Sequence, residues 1–365
     1  MTRAGRALVL LVSVVALAPA DAVHAGTAPP PQVRTYYIAA DEVVWDYAPK
    51  GRNLTGTPHL ESEGASQSTV YRKAIYREYT DATFSTLKPR PPQWEHLGIL
   101  GPLIRAEVGD TVKVVFKNNT KIFASMHPHG LAYDKDSEGA VYSDGIPPDK
   151  KKGDKVASGE VYTYTWTVPE RAGPGPGDPS SILWAYHSHF VEPRDMNTGL
   201  IGPIIVSAKG STKPDGTPQG VDREVIVAFA VFDETESWFF EANTMGQQKY
   251  RPRLKVIDPA LRAQHVFYSM NGFIDGNLPV VTMKKGEHVR WYLLANSNED
   301  DVHTPHWHGQ TVVMNNMMRT DTVSLLPMTM IVADMVPDSV GTWLFHCHVN
   351  EHIEGGMQAL FTVTP

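Results

Sequence analysis

The chain has a single cysteine, Cys347, among its 365 residues. One thiol excludes an internal disulfide, so disulfides do not hold this fold together. Beyond the N-terminal segment, no run of apolar residues is long enough to span a bilayer. The formal net charge of -7 argues against nucleic acid as a partner. Cys347 therefore needs a purpose other than disulfide formation.

The first 25 residues are expected to form a secretory signal peptide. Arg3 and Arg6 precede the apolar run 7–18, and residues 23–25 supply small side chains at a cleavage site. The alternative, an N-terminal membrane anchor, is less favoured because the apolar run is short. The segment contains no two adjacent arginines, so it does not indicate a twin-arginine signal. We expect a secreted or periplasmic protein that has no membrane contact after cleavage.

Short runs typical of strands dominate the rest of the chain. They are rich in β-branched and aromatic residues and are separated by Gly, Pro, Asn and Asp turns. Helical periodicity is absent over long stretches. The sequence therefore predicts an all-β sandwich or barrel architecture. The clearest runs are 112–116, 161–168, 224–231 and 289–294.

Two halves of the chain resemble each other and indicate a diverged repeat. The polar segment 208–222, rich in Gly, Pro, Ser and Thr, predicts a linker between domains at 33–207 and 223–365. In each half a Gly-containing turn and a strand lead to a His-x-His motif, and a second His-x-His motif follows later. The motifs are His127-Pro-His129 and His187-Ser-His189 in the first half, and His306-Trp-His308 and His346-Cys-His348 in the second.

These histidine pairs indicate metal binding. On a strand, a His-x-His motif places both rings on one face, where they can meet one metal or two adjacent metals. A single such pair is more often a surface or hydrogen-bonded core feature. Four pairs at matched positions of a repeat, one of them enclosing the only cysteine, favour the metal interpretation instead.

The ligand types indicate copper. Cys347, with His352 five residues later and Met357 ten residues later, supplies three of the four ligands of a blue-copper site. Zinc accepts His and Cys but rarely a thioether. Because neighbouring side chains on a strand face opposite ways, His346 and His348 cannot share the metal of Cys347. The eight paired histidines suit a cluster of several copper ions, four from each half, between two domains.

Over nearly its whole mature length the chain resembles multicopper oxidases, and among them the ceruloplasmin and hephaestin branch. The resemblance includes segments 36–38, 44–47, 79–81, 98–102 and 199–203 besides the histidine motifs. It implies two cupredoxin-like Greek-key β-barrel or sandwich domains in tandem and four copper ions per chain. The implied ligands are His303, Cys347, His352 and Met357 for type 1 copper, His127 and His306 for type 2, and His129, His187, His189, His308, His346 and His348 for the type 3 pair.

The repeat predicts only one type 1 site. Aligning the halves puts Ser188 at the position of Cys347, and the other three positions are also non-ligating: Ala124 for His303, Pro193 for His352 and Thr198 for Met357. The type 1 copper is therefore expected in the second domain alone.

The resemblance implies one-electron oxidation of a reductant at the type 1 copper, coupled to four-electron reduction of O2 to water at the trinuclear cluster. Electrons are expected to enter over an exposed edge of His303 or His352 and to pass through Cys347 to His346 or His348. Asp144 resembles the acidic residue that relays protons in laccases, and an Asp-Gly turn is the alternative interpretation. Glu351 could bind a cationic reductant or be an ordinary solvated carboxylate.

The reductant is predicted to be a phenol or aromatic amine, as for a laccase. Ala263 and Tyr268 stand where the ceruloplasmin resemblance implies a Glu and a His ligand to iron, and His265 is off register. A ferroxidase or cuprous oxidase is the alternative. The calcium loop of the resembled domain keeps only Asp154, with Lys150 and Gly153 at other ligand positions.

Two further classes rank lower. A copper nitrite reductase would carry its blue copper in the first domain, where this chain has Ser188. A non-catalytic ceruloplasmin-like module would have lost ligands, whereas all twelve positions are kept. Ceruloplasmin resembles three such two-domain units, so one unit is expected to form a closed homotrimer with clusters between neighbouring chains. An intrachain cluster is the alternative.

Overall fold

The computed structural model describes residues 30–57, 68–244, 257–296 and 302–365. The predicted signal peptide, residues 1–25, lies outside these ranges. The described residues form mostly strands with a few short helices, which confirms the all-β prediction. All four strand-like runs recognised in the sequence are strands. No helix within the described ranges is long and apolar enough to cross a membrane.

The strands of the second half follow the order of those in the first, with one additional strand and two additional short α-helices. The first half contains β1 (Val33–Asp46), β2 (Val70–Tyr79), β3 (Ile104–Glu107), β4 (Thr111–Asn118), β5 (His127–Pro128), β6 (Ala132–Tyr133), β7 (Val161–Thr167), β8 (Ser181–His187), α1 (Glu192–Thr198) and β9 (Ile201–Ser207). The second contains β10 (Arg223–Asp233), α2 (Phe240–Thr244), α3 (Pro259–Ala263), β11 (Val266–Met270), β12 (Val281–Lys284), β13 (Val289–Ala295), β14 (Pro305–Trp307), β15 (Val312–Met314), β16 (Met318–Thr320), β17 (Met330–Met335), β18 (Gly341–Cys347), α4 (Asn350–Glu354) and β19 (Gln358–Thr364).

Four sheets contain these strands, and their topology repeats. Sheet I has the order β2-β1-β4-β7-β6 and sheet II the order β3-β9-β8-β5. Sheet III, β11-β10-β13-β17-β15-β16, matches sheet I, and sheet IV, β12-β19-β18-β14, matches sheet II. Even the parallel pairs correspond, since β1 pairs with β4 as β10 pairs with β13. The sequence repeat is thus a structural repeat.

Each half is a sandwich with an aromatic core. Trp166 and Tyr76 are fully buried between sheets I and II, and Trp291 and Phe345 lie buried between sheets III and IV. Burial of each such side chain contributes about 2 to 3 kcal/mol. Tight packing of these large rings fixes the spacing of the two sheets, and with it the positions of the strand ends that carry the histidine motifs.

The two halves pack through sheets II and III. Leu183 of β8 and Tyr292 of β13 belong to one buried apolar cluster, and the Tyr292 hydroxyl lies 2.6 Å from the Ser181 hydroxyl. The guanidinium of Arg105 forms a salt bridge of 2.5 Å with Glu224 across the same interface. The layers therefore run I, II, III, IV, and sheet IV is on the face of sheet III that points away from the first half.

The segment predicted as a linker is ordered. Thr212 and Pro218 form an isolated antiparallel bridge, and the Gly210 N–H donates to the Glu107 carboxylate over 3.1 Å. Val221 is buried. The segment therefore follows the surface of both halves.

Candidate metal centres

Cys347, His303 and His352 form a buried triad in the second half. Cys347 ends β18, and His352 lies on α4, the short helix that follows. His303 precedes β14 and is held by a bridge to Leu325. The ligand atoms of the three side chains all lie within 4.8 Å of one another, and the Cys347 sulfur is 3.4 Å from His352 Nδ1. The predicted type 1 ligands His303, Cys347 and His352 are thus brought together.

The triad fits a soft metal cation. Burial raises the pKa of the Cys347 thiol, but hydrogen bonds from the imidazoles of His303 and His352 and from two backbone N–H groups together lower it to about 6. Among the described residues, His303 Nδ1 is buried without a hydrogen-bond partner. Met357 is fully buried, and its carbonyl accepts from the Cys347 N–H over 3.1 Å. A thiolate, two imidazoles and a buried thioether are the donor set of blue copper.

The expectation of an exposed imidazole edge at this triad is wrong. His303 is 3% exposed and His352 is 0% exposed. The ring of Tyr268, on β11, covers His352 with 5.0 Å between ring centroids. The Tyr268 hydroxyl donates to the Glu351 carboxylate over 2.6 Å. The exposed carboxylate of Glu351, next to the triad, is therefore hydrogen-bonded to Tyr268, the residue that also covers His352.

The first half carries a separate set of histidines at the adjoining ends of β5 and β8. The ligand nitrogens of His127, His129 and His187 lie within 4.8 Å of one another, and His129 Nε2 is 3.0 Å from His187 Nε2. His127 Nδ1 lies 2.7 Å from the Glu138 carbonyl, which leaves Nε2 for a metal. The ring of His189 lies 5.2 Å from that of His127. We call these four residues the first-half set.

The second half repeats the arrangement on β14 and β18. His306, His308 and His346 form the group, with His308 Nε2 3.1 Å from His346 Nε2. His306 Nδ1 lies 3.0 Å from the Asp321 carbonyl, and the ring of His348 is 5.5 Å from the ring of His306. Together these four residues are the second-half set. In each set, three of the four histidines therefore bring their ligand nitrogens together in a small volume of their own.

Burial keeps several of these imidazoles neutral. Desolvation lowers the pKa of His129 and of His346 to about 4 and the pKa of His187 well below its usual value. A neutral imidazole nitrogen is the form that binds a metal. Each three-histidine group offers imidazoles and no carboxylate, which suits copper ions rather than magnesium or calcium; Glu192 lies 3.4 Å from His189 Nε2, outside the group of the first half.

The two sets lie apart within one chain. The first-half set is on sheet II and the second-half set on sheet IV, with sheet III between those sheets. Within the described ranges, every ring contact of these histidines with another histidine stays inside its own half. His308 and His348 are exposed. Each set alone is half of the predicted cluster.

The first half has a carboxylate where the second has its triad. The Ser125 N–H donates to Ser188 Oγ over 3.1 Å, just as the Thr304 N–H donates to the Cys347 sulfur over 3.3 Å. Ser188 in turn donates to Asp195, whose other oxygen accepts from Trp238 Nε1, each over 2.7 Å. Asp195 is fully buried. Sequence reasoning missed Asp195 and Trp238, because no motif marks either of them.

Asp144 is paired with lysine. Lys151 Nζ lies 2.9 Å from Asp144 and 3.1 Å from Asp154. The hydrogen bond from Lys151, together with one from the Ile146 N–H, lowers the pKa of Asp144 to about 2. Asp144 is thus ionised at neutral pH in a charged turn, and its role as a proton relay stays a prediction.

Two family models described as multicopper oxidase match residues 96–211 and 247–365, which contain every histidine of both sets and the whole triad. The chain belongs to the multicopper oxidase family. A solved multicopper oxidase aligns with 91% of this chain and 89% of its own at a TM-score of 0.57 and 20% identity, which supports the fold. A blue copper oxidase from Nitrosomonas europaea aligns with a TM-score of 0.57 at 18% identity, over 91% of this chain and 86% of its own.

Curated relatives are more similar in sequence but much longer. Hephaestin of Rattus norvegicus is 38% identical over 91% of this chain and 29% of its own length. The human ferroxidase HEPHL1 is 38% identical over 90% of this chain and 29% of its own. Human ceruloplasmin is 39% identical over 91% and 32%. The chain thus spans about three tenths of the length of each of these relatives.

Proposed function

We propose that this protein is a copper-dependent oxidase that takes electrons from a reductant and reduces O2 to water. The observation that carries the proposal is the position of Cys347 between His346 and His348. It belongs to the buried triad while its two neighbours belong to the second-half set. When bound, copper supplies one-electron transfer at a His₂Cys site with a distant Met.

The chain itself links the two kinds of centre. His346 Nδ1 lies 2.8 Å from the Cys347 carbonyl oxygen, so a short run of covalent bonds and one hydrogen bond joins the thiolate to an imidazole of the set. The triad with Met357 would hold one ion and the two histidine sets three more. Metal analysis of the copper-loaded protein tests this count: about four ions per chain with a blue absorption band are expected, and zinc in place of copper would refute it.

For the reductant, we propose a metal ion, Fe(II) or Cu(I). The similar proteins include one named a ferroxidase as well as hephaestin and ceruloplasmin. In this chain the exposed carboxylate of Glu351 adjoins His352 in sequence, where it can attract a cation. Oxygen uptake by the copper-loaded protein with Fe(II), Cu(I) and a phenol, measured in parallel, tests the proposal. Turnover of the phenol alone would reject it.

Phenols and aromatic amines are the second candidate. Tyr268 stands where a metal ligand was expected from the resemblance, and its hydroxyl already binds Glu351. His265 does not substitute, because it is buried and its Nδ1 lies 2.6 Å from the Tyr71 hydroxyl. These contacts favour a reductant that does not have to be bound as a metal ion by carboxylate and histidine ligands.

We further propose that the protein works as a homotrimer in which each cluster combines the first-half set of one chain with the second-half set of a neighbour. The separation of sheets II and IV supports this, as does the exposure of His308 and His348. A head-to-tail contact between unlike surfaces either closes into a ring or polymerises. A closed trimer would complete three clusters.

Subunit complementation tests the shared cluster. One variant carries His187→Ala and His189→Ala, and the other carries His306→Ala and His308→Ala. Neither should be active alone. Co-expressed in equal amounts, they should recover about one quarter of wild-type activity, since three quarters of the trimers are mixed and each mixed ring has one intact interface of three. No recovery in verified mixed trimers would favour an intrachain cluster.

Export is part of the same proposal. Residues 1–25 have the composition of a secretory signal, which favours a secreted or periplasmic location. Determining the N-terminus of the mature protein and its compartment after expression tests this. Retention of residues 1–25 in the mature protein would contradict it.

A further inference from the structure

Tyr268 covers the candidate type 1 site from outside. Its ring lies 5.0 Å from the His352 ring with an interplanar angle of 33°, and His352 has no exposed surface. The backbone of α4 leaves room for this ring only because residue 355 is glycine. A Cβ at Gly355 would lie 2.2 Å from Tyr268 Cδ2. The position of the ring is thus determined by both β11 and the end of α4.

The Tyr268 hydroxyl has a second contact. It donates to Glu351 Oε1 over 2.6 Å, a short bond to a charged acceptor. A hydrated cation approaching Glu351 would compete with this bond for the carboxylate oxygen. Tyr268 therefore affects both the exposure of the His352 imidazole and the availability of the Glu351 carboxylate.

We propose that Tyr268 is the residue that determines which class of reductant the enzyme accepts, an inference that rests on the proposed oxidase function. Its hydroxyl weakens binding of metal ions at Glu351. Its ring prevents flat aromatic reductants from contacting His352. The two effects belong to different parts of one side chain, so substitutions can separate them.

Tyr268→Phe removes the hydroxyl and keeps the ring. Freed from its hydrogen bond, Glu351 should bind cations better, and KM for Fe(II) should fall about fivefold with little change in kcat. Activity with 2,6-dimethoxyphenol should stay within about twofold of wild type, because the cover remains. An unchanged KM for Fe(II) would overturn the role of the hydroxyl.

Gly355→Ala leaves Tyr268 intact but places a methyl group where its ring lies. The backbone at Gly355 is right-handed, with φ -77°, so alanine meets no conformational barrier. The displaced ring should uncover His352 and raise kcat/KM for 2,6-dimethoxyphenol about fivefold or more. Tyr268→Ala should do the same. Equal or lower phenol activity in both variants, with the blue absorption band retained, would overturn the role of the ring.

A binding measurement separates this inference from the proposed function. Mn(II) is titrated into copper-loaded, fully reduced protein under argon, where it cannot be oxidised, and free Mn(II) is followed by electron paramagnetic resonance. Tyr268→Phe should bind Mn(II) about fivefold more tightly than wild type. The matched control is Tyr162→Phe on β7, which loses a hydroxyl that donates to the Asp136 carbonyl and should behave as wild type.

The two failures give different results. If the copper-loaded wild type consumes no oxygen with any reductant, the proposed oxidase function is wrong, and the Mn(II) titration still decides whether the Tyr268 hydroxyl weakens cation binding. If the wild type is active but Tyr268→Phe and Gly355→Ala both match it, the inference about Tyr268 is wrong and the oxidase function stands.

Discussion

The hydroxyl of Ser188 donates to the Asp195 carboxylate over 2.7 Å, at the position where the second half has Cys347 facing a candidate metal. The same carboxylate accepts from the N–H groups of Phe190 and Val191. The first half has therefore replaced a metal by a carboxylate that holds the same turn together. The His187-Ser188-His189 motif keeps its shape through this network.

Asp195→Ala should destabilise the first half. It leaves the Ser188 hydroxyl, two backbone N–H groups and the Trp238 indole without their acceptor, so we expect a loss of about 3 kcal/mol in the free energy of unfolding. Chemical denaturation of the copper-free protein measures this. Asp215→Ala, which removes an exposed turn carboxylate, is the control. A change as small as that of the control would show that the network is not structural.

Cys347→Ser should abolish the blue absorption band and turnover while cluster copper is retained. The reason is that Cys347 is the only thiolate and the only residue that belongs to the triad and also adjoins the second-half set. Metal analysis should find about three ions per chain instead of four. In the reciprocal variant Ser188→Cys no second blue band should arise, because Asp195 fills the site and no His or Met ligand is present. Residual oxidase activity in Cys347→Ser would refute the assignment.

Asp144→Asn should change the dependence of stability on pH. The hydrogen bond from Lys151 lowers the folded-state pKa of Asp144 to about 2, from an ordinary value of 3.8. A lowered carboxyl pKa stabilises the fold above the unfolded pKa, and this contribution is lost as the pH falls through the folded pKa. The difference in Tm between wild type and Asp144→Asn should be constant from about pH 7 to 5 and shrink between about pH 4 and 2. A difference that instead grows on acidification would contradict the ion pair.

Lys73 and Glu234 form a fully buried ion pair between the halves, supported by the Tyr47 hydroxyl. Glu234 Oε2 is buried without a hydrogen-bond partner among the described residues. Lys73→Met should therefore cost about 3 to 5 kcal/mol, because it leaves a carboxylate unpaired in the interior.

The double variant Lys73→Met, Glu234→Leu should be more stable than Lys73→Met alone, since no isolated charge remains. Thermal unfolding of the three proteins provides the comparison. If the double variant is the least stable, the pair contributes more than the apolar contacts that replace it.

The sequence predicted the features that depend on local pattern. Strand alternation located β4, β7, β10 and β13, and the His-x-His spacing located both histidine sets, because residues two apart on a strand share a face. The spacing from Cys347 to His352 likewise assigned both residues to one metal site, and their ligand atoms do lie within 4.8 Å of each other.

Such local patterns did not predict which side chains meet once the chain is folded. Tyr268 covers His352 from 84 positions away in the chain, so the imidazole expected to be exposed is buried. Trp238 donates to Asp195 across the two halves, and Lys151 pairs with Asp144 within one loop. Each of these pairings depends on how strands, helices and loops are placed in space, which the local sequence patterns do not encode.

The low pKa values of His129 and His346, about 4 in each case, bear on how copper is acquired. Protons and metal ions compete for the same imidazole nitrogen, and a histidine with the ordinary value of 6.5 would be largely protonated at pH 5.5. At His129 and His346 burial disfavours the competing proton. These two ligands should therefore remain available to copper in mildly acidic surroundings, where an imidazole of ordinary pKa is largely protonated.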